Sequence, residues 1–138
     1  MALGAMALSP SDIDEWAKAY VEAQQDPDLL KKEDHPLWWA VERFMQLLDE
    51  DAAAESEDCW NAILRILELD PPQEVTGMLA AGPLEDLIDC HGQRFIDRIE
   101  EESRKSVRFR RLLSGVWLRG IPEIVARIEA SRDGHDGA

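Results

Sequence analysis

Apolar residues in this chain recur at steps of three and four from Ile13 to Ile128, and nowhere in sustained alternation. A helix turns once in about 3.6 residues, whereas a strand flips side at every residue, so this spacing commits the chain to helices. Ile13, Trp16, Ala17, Tyr20 and Val21 share one face. Leu37, Trp38, Val41, Phe44, Met45 and Leu48 form a wider stripe, and Cys59, Trp60, Ile63, Ile66 and Leu67 a third. The pattern continues through Val75, Met78 and Leu79, then Leu84, Leu87 and Ile88, then Phe95, Ile96 and Ile99. Phe109, Leu112, Leu113, Val116 and Trp117 follow, and Ile124, Val125 and Ile128 close it. No Asn-Gly or Asp-Gly pair joins two β-branched runs, so hairpins have no local support.

Proline and glycine divide these stripes. Ser9-Pro10-Ser11-Asp12 reads as a serine cap with proline at the first helical position. Asp26-Pro27 ends that helix, and His35-Pro36 starts the next across a polar linker. Asp49–Asp58 reads as a loop or as the first turn of a third helix. In Asp70-Pro71-Pro72-Gln73 the aspartate is expected to cap the following helix. Gly82-Pro83 is expected to end one helix and start another, with glycine left-handed, and Gly92 to close a helix or mark a tight junction. The outcome is an all-α chain, a compact bundle of seven or eight short helices. Stacked helical hairpins, a short α-solenoid, are the second architecture, but no clean repeat of 30–45 residues supports it.

The 138 residues suffice for one domain with a core of its own, expected over residues 9–130. Residues 1–8, read as a disordered N-terminus or a tag remnant, and the tail from Ser131 to Ala138 are expected to stay outside the fold. The N-terminal MALGAMAL has no basic flank and makes a poor signal peptide. No apolar run approaches the roughly 20 residues that cross a bilayer, so a cytoplasmic protein with no membrane contact is expected. Cys59 and Cys90 sit in apolar helical contexts and read as free thiols.

Charge is unevenly placed. The formal net charge is −14; residues 1–70 hold 17 acidic and 5 basic residues, a net of −12, against 12 and 10, a net of −2, in residues 71–138. Such a field repels phosphate backbones, which argues against nucleic acid, and attracts a basic protein surface. Plain solubility is the simpler account of the same charge.

Candidate chemistry is sparse. There are three histidines, and His135 lies in the tail. His35 precedes Pro36 and suits a cap; His91, near Asp86, Asp89 and Cys90, lacks metal-ligand spacing and reads as a helix-terminus histidine. Glu100-Glu101-Glu102 and Asp49-Glu50-Asp51 are consecutive, so their side chains splay apart instead of converging. No nucleophile elbow, phosphate loop, dinucleotide fingerprint, zinc-protease helix or calcium loop occurs. The expectation is therefore no enzyme, no cofactor and no metal.

Five tryptophans stand out, of which Trp16, Trp60 and Trp117 fit buried stripes. Trp38 and Trp39 point about 100° apart on one helix, so one stripe cannot easily bury both. Either they bridge two layers of the core or one reaches the surface beside acids. The candidate partner-binding residues are thus Trp38, Trp39, Asp49, Glu50, Asp51, Glu55, Glu57 and Asp58. Arg104, Arg108 and Arg111 fall on one face of a continuous helix and either bind an anion or neutralise the acids at 97–102.

The stretch from Leu79 to Trp117 carries GPLEDLI at Gly82–Ile88, then His91-Gly92, then Phe95-Ile96-Asp97 running to Glu100, then Phe109, Leu112 and Val116-Trp117. With the Trp60 helix upstream, it resembles a family of small bacterial proteins classed only as a domain of unknown function. That resemblance implies an all-helical fold and carries no catalytic residues. In size, charge and style the chain also resembles immunity proteins that neutralise secreted bacterial toxins. The expected function is accordingly a protein-binding module, an immunity or inhibitor protein whose acidic surface covers a basic toxin. A structural or regulatory homo-oligomer, such as a homodimer, is the alternative, and a DNA mimic a third.

Overall fold

A computed structural model describes residues 8–26, 35–47, 53–118 and 121–132. Helices α1 (Pro10–Gln24), α2 (Trp38–Leu47) and α3 (Ala53–Glu68) come first. After them come α4 (Gln73–Leu79), a π-helical turn over Ala80–Leu84, α5 (Glu85–Lys105), α6 (Val107–Leu113) and α7 (Pro122–Arg132). The described residues contain no strand. No helix among them is long and apolar enough to cross a membrane. Of the ends expected to be disordered, residues 1–7 and 133–138 lie outside the described residues, whereas Ser131 and Arg132 complete α7. Leu8, assigned to the N-terminal extension by sequence, packs against the core.

The all-α bundle stands, with six separate rods among the described residues instead of seven or eight, because α4, the π turn and α5 run on as one helical path that bends at His91. Pro83 explains how. Its missing N–H and the clash of its ring with the carbonyl four residues back normally stop a helix. Here the turn takes up one extra residue, and the Glu85 N–H reaches back to Ala80 O across five residues. Gly82 is consequently helical and not left-handed, and a Cβ on it would meet nothing within 4 Å. Gly82→Ala is therefore expected to leave stability unchanged or raise it by about 0.5–1 kcal/mol. A urea midpoint falling instead would show that the junction needs glycine.

Further along α5, His91 departs from helical geometry (φ −137°, ψ 28°) at a kink where two helical stretches meet, so it stands at a helix junction within the rod. Gly92 beside it lies where α7 crosses: a Cβ would stand 3.3 Å from Ile124 Cγ2. Of the two roles open to Gly92, the tight junction is the one observed.

Two aromatic clusters anchor the core. Trp16 and Tyr20 of α1 meet Phe44 of α2, with ring centroids 4.4 and 5.3 Å apart. Trp60 of α3 meets Phe95 of α5 and Phe109 of α6 at 5.5 and 5.7 Å. Helix α1 lies against α3 and α2, and α5 is held between α3 and α7. The stripes of α1, α3, α5 and α6 are buried as their spacing requires, but Trp117 is 72% exposed and Met45 59%. Trp117 was expected in the core on the assumption that its helix continues. Helix α6 ends at Leu113 and the chain turns through Ser114 and Gly115, so the 3.6-residue period no longer dictates where residue 117 points.

Asp70 does not cap α4. It ends α3 in the left-handed region (φ 53°), and Pro72 stands at the N-cap of α4 without a side-chain bond.

Candidate protein-binding face

Helix α1 starts where Ser9 closes a capping box. Its hydroxyl accepts the Asp12 N–H at 3.1 Å, and the Asp12 carboxylate accepts the Ser9 N–H at 3.3 Å. That start sets the rotation of the helix: Ile13, Trp16, Ala17 and Tyr20 turn inward, leaving Asp12 and Glu15 exposed. Helix α2 then crosses near the same end. The Trp16 indole N–H donates to Ala40 O at 2.8 Å, tying the two helices together. One turn apart on α2, Trp39 and Arg43 are i, i+4 neighbours, and the guanidinium lies over the Trp39 ring at 4.7 Å and over Trp16 at 5.2 Å.

The result is a surface notch of about 400 Å³ lined by Leu8, Asp12, Glu15, Trp39 and Arg43. Asp58 of α3 secures its edge by accepting the Leu8 N–H at 3.0 Å. Arg43 already occupies the Trp39 ring face, so what the notch offers a cationic side chain is the Asp12 and Glu15 carboxylates beside the remaining Trp39 surface.

The structure treats the sequence-derived candidates unequally. Trp38 and Trp39 are both half-buried, and Trp39 packs on the core with its remaining surface in the notch. Asp58 is buried and is a structural acceptor. Glu55 is half-buried on the first turn of α3. Glu57 faces away, held by Arg98 at 2.6 Å and Arg94 at 3.2 Å on α5. Asp49, Glu50 and Asp51 lie outside the described residues. Asp12, Glu15 and Arg43 were missed. The capping box and the i, i+4 pair were visible locally, but nothing local shows that α1 presents its acids to Trp39.

The basic run also divides. Arg104 belongs to α5 and Arg108 and Arg111 to α6, with Ser106 capping the break, so they do not share one helix face. Asp97 and Glu100 are instead bound by Arg127 of α7, at 2.8 and 2.6 Å. Among the described residues, no group of three or more His, Cys, Asp and Glu side chains is arranged to hold a metal. His35 ties the ends of the first linker, its Nε2 lying 2.7 Å from the Asp26 carboxylate while Nδ1 accepts the Leu37 N–H. Neither Cys59 nor Cys90 is in a disulfide, and burial pushes the Cys59 thiol up to about 12.

Carboxylates in this region titrate in opposite directions. Hydrogen bonds from Arg98 hold Glu57 below the usual range, and those from Arg127 do the same for Glu100. The stability they contribute is present above about pH 4.5 and is lost as pH falls through their depressed values. Asp58 is the reverse. Desolvation raises it despite the Leu8 N–H bond, so its charged form costs stability at neutral pH, and the cost fades as pH falls through the raised value and is gone below about 4. Asp58→Asn, which keeps the acceptor oxygen, is expected to be more stable than the parent at pH 7, with the gap closing by about pH 3. Urea titrations at the two pH values measure this, and an equal gap at both would refute it.

A family model described as a family of unknown function, DUF6869, matches residues 25–136. No curated protein and no solved structure matches the chain. Trp39, Arg43 and Asp58 fall within the matched stretch; Asp12 and Glu15 precede it.

Proposed function

The chain belongs to the DUF6869 family, and from that premise we propose that it is a protein-binding module, an immunity or inhibitor protein that covers a basic toxin surface. The observation that carries this reading is the notch at Trp39, rimmed by Asp12 and Glu15, in the half of the chain that holds a net charge of −12. A net field of this sign draws a basic partner in, and the half-buried tryptophan supplies the desolvated contact that retains it. Asp49, Glu50 and Asp51, three consecutive acids after α2, extend the same acidic segment.

The test asks whether a toxin-like protein is encoded beside the gene and, by co-expression, whether this chain protects against it, with growth as the readout and surface plasmon resonance for affinity. Trp39→Ala combined with Glu15→Lys is expected to abolish protection and weaken binding by roughly tenfold or more, the charge change acting mainly on the association rate. Neutralising Asp49, Glu50 and Asp51 together is expected to slow association further. Full protection by all of these folded variants would end the proposal.

A second reading, a homo-oligomer, draws on Trp117, whose 72% exposure is unusual for so large an apolar side chain. Light scattering at micromolar concentration separates the two. A dimer that Trp117→Glu dissociates supports the oligomer, and a strict monomer removes it.

A further inference from the structure

Away from the Trp39 notch, a groove of about 610 Å³ runs between α4 and α6. Ala80 and Leu112 line it as buried residues, Val107 as an exposed one, and Arg108 and Arg111 bring positive charge to it. The two arginines differ. Arg108 donates to Leu67 O at 3.0 Å and stands 3.9 Å from the Asp70 carboxylate. Arg111 is exposed, and its guanidinium has no hydrogen bond or ion pair among the described residues.

The groove also holds two glycines with different reasons for being there. Gly115 is closely packed, since a Cβ would stand 3.1 Å from Ala80 Cβ and one of the two would have to yield. Gly77 is not. It is exposed on α4, its backbone is helical, and a Cβ there would meet nothing within 4 Å. Glycine is among the poorest helix formers, so neither packing nor backbone geometry within the chain calls for it at this position. A missing side chain on the wall of a groove does admit a second backbone at close range.

We propose that this groove docks an acidic, partly apolar peptide segment of a partner protein, with its backbone over Gly77 and a carboxylate on Arg111. Charge complementarity selects this occupant. Of the groove's lining, Arg108 and Arg111 are basic, and Asp70 alone is acidic and stands beside Arg108. In a chain of net charge −14, an acidic segment therefore meets attraction at Arg111 and repulsion over most of the remaining surface. Val107, the exposed apolar residue of the lining, receives an apolar side chain of the segment. The site shares no residue with the Trp39 notch, so each can fail alone.

The test selects a displayed random dodecapeptide library on the full chain and measures the selected peptides by fluorescence anisotropy. Peptides combining Asp or Glu with large apolar residues are expected. Gly77→Leu, which fills the groove while favouring the helix, and Arg111→Glu are each expected to weaken them about tenfold or more. Trp39→Ala is expected to leave them unchanged, and circular dichroism verifies that all variants fold. An empty selection, basic peptides, or acidic peptides indifferent to both groove variants would overturn the proposal. So would a dimer in light scattering that Gly77→Leu dissociates, because the occupant would then be a second copy of the chain.

Discussion

Trp16→Ala is expected to cost about 3–5 kcal/mol, a large share of the 5–15 kcal/mol that holds a typical domain folded. The indole is fully buried, lies 4.4 Å from the Phe44 ring, and is covered on one side by the Arg43 guanidinium. Truncation removes all of these contacts at once and withdraws the donor that binds α1 to Ala40 O. Trp16→Phe keeps most of the packing and loses the N–H, so a smaller cost of about 1–2 kcal/mol is expected. Urea melts give both values. A cost below about 1 kcal/mol for the alanine variant would mean that α1 and α2 do not pack as described. The same variant also probes the notch, since Arg43 spans both Trp16 and Trp39.

Trp60→Ala is expected to be equally severe, about 3–5 kcal/mol, with a fall in Tm of roughly 10–15 °C. Trp60 is the ring through which α3 meets α5 and α6, lying stacked on Phe95 and edge-on to Phe109. Packed helices collapse only partly into a void, so much of the cavity is expected to persist. A double-mutant cycle between Trp60→Ala and Phe109→Leu isolates the aromatic contact, with an expected coupling of about 0.5–1.5 kcal/mol. Strictly additive losses would show that the two rings share a core without touching in solution.

The readable part of the molecule was what neighbours in sequence determine. Ser9 and Asp12 close a capping box because their atoms lie within one turn, and α3 buries Cys59, Trp60, Ile63, Ile66 and Leu67 because their spacing puts them on one face. In the candidate site, the peculiarity of Trp38-Trp39 was legible for the same reason. Its partners were not. Glu57 looked like a free surface acid until α5 brought Arg94 and Arg98 to it from 37 and 41 residues away. Asp58 looked exposed until Leu8 returned from 50 residues away to donate to it.

Amino-acid order alone determined the all-helical class, the inward faces of α1, α3, α5 and α6, and the charge asymmetry between the two halves. These depend on interactions within about four residues, or on composition, and no other part of the chain needs to be placed to read them. Tertiary structure decided the rest. Pro83 and Gly82 carry a local signal to stop a helix, yet Pro83 and Leu84 are buried, and the chain accommodates the ring with a π turn instead of breaking the rod. Trp117 carries the spacing of a core residue, but the turn at Ser114-Gly115 sends it to solvent. Helix packing is what carries Asp12 and Glu15 to Trp39 and lays Arg108 and Arg111 along α4. A single helix determines which side chains share a face, but only the burial of several helices against one another determines which faces meet.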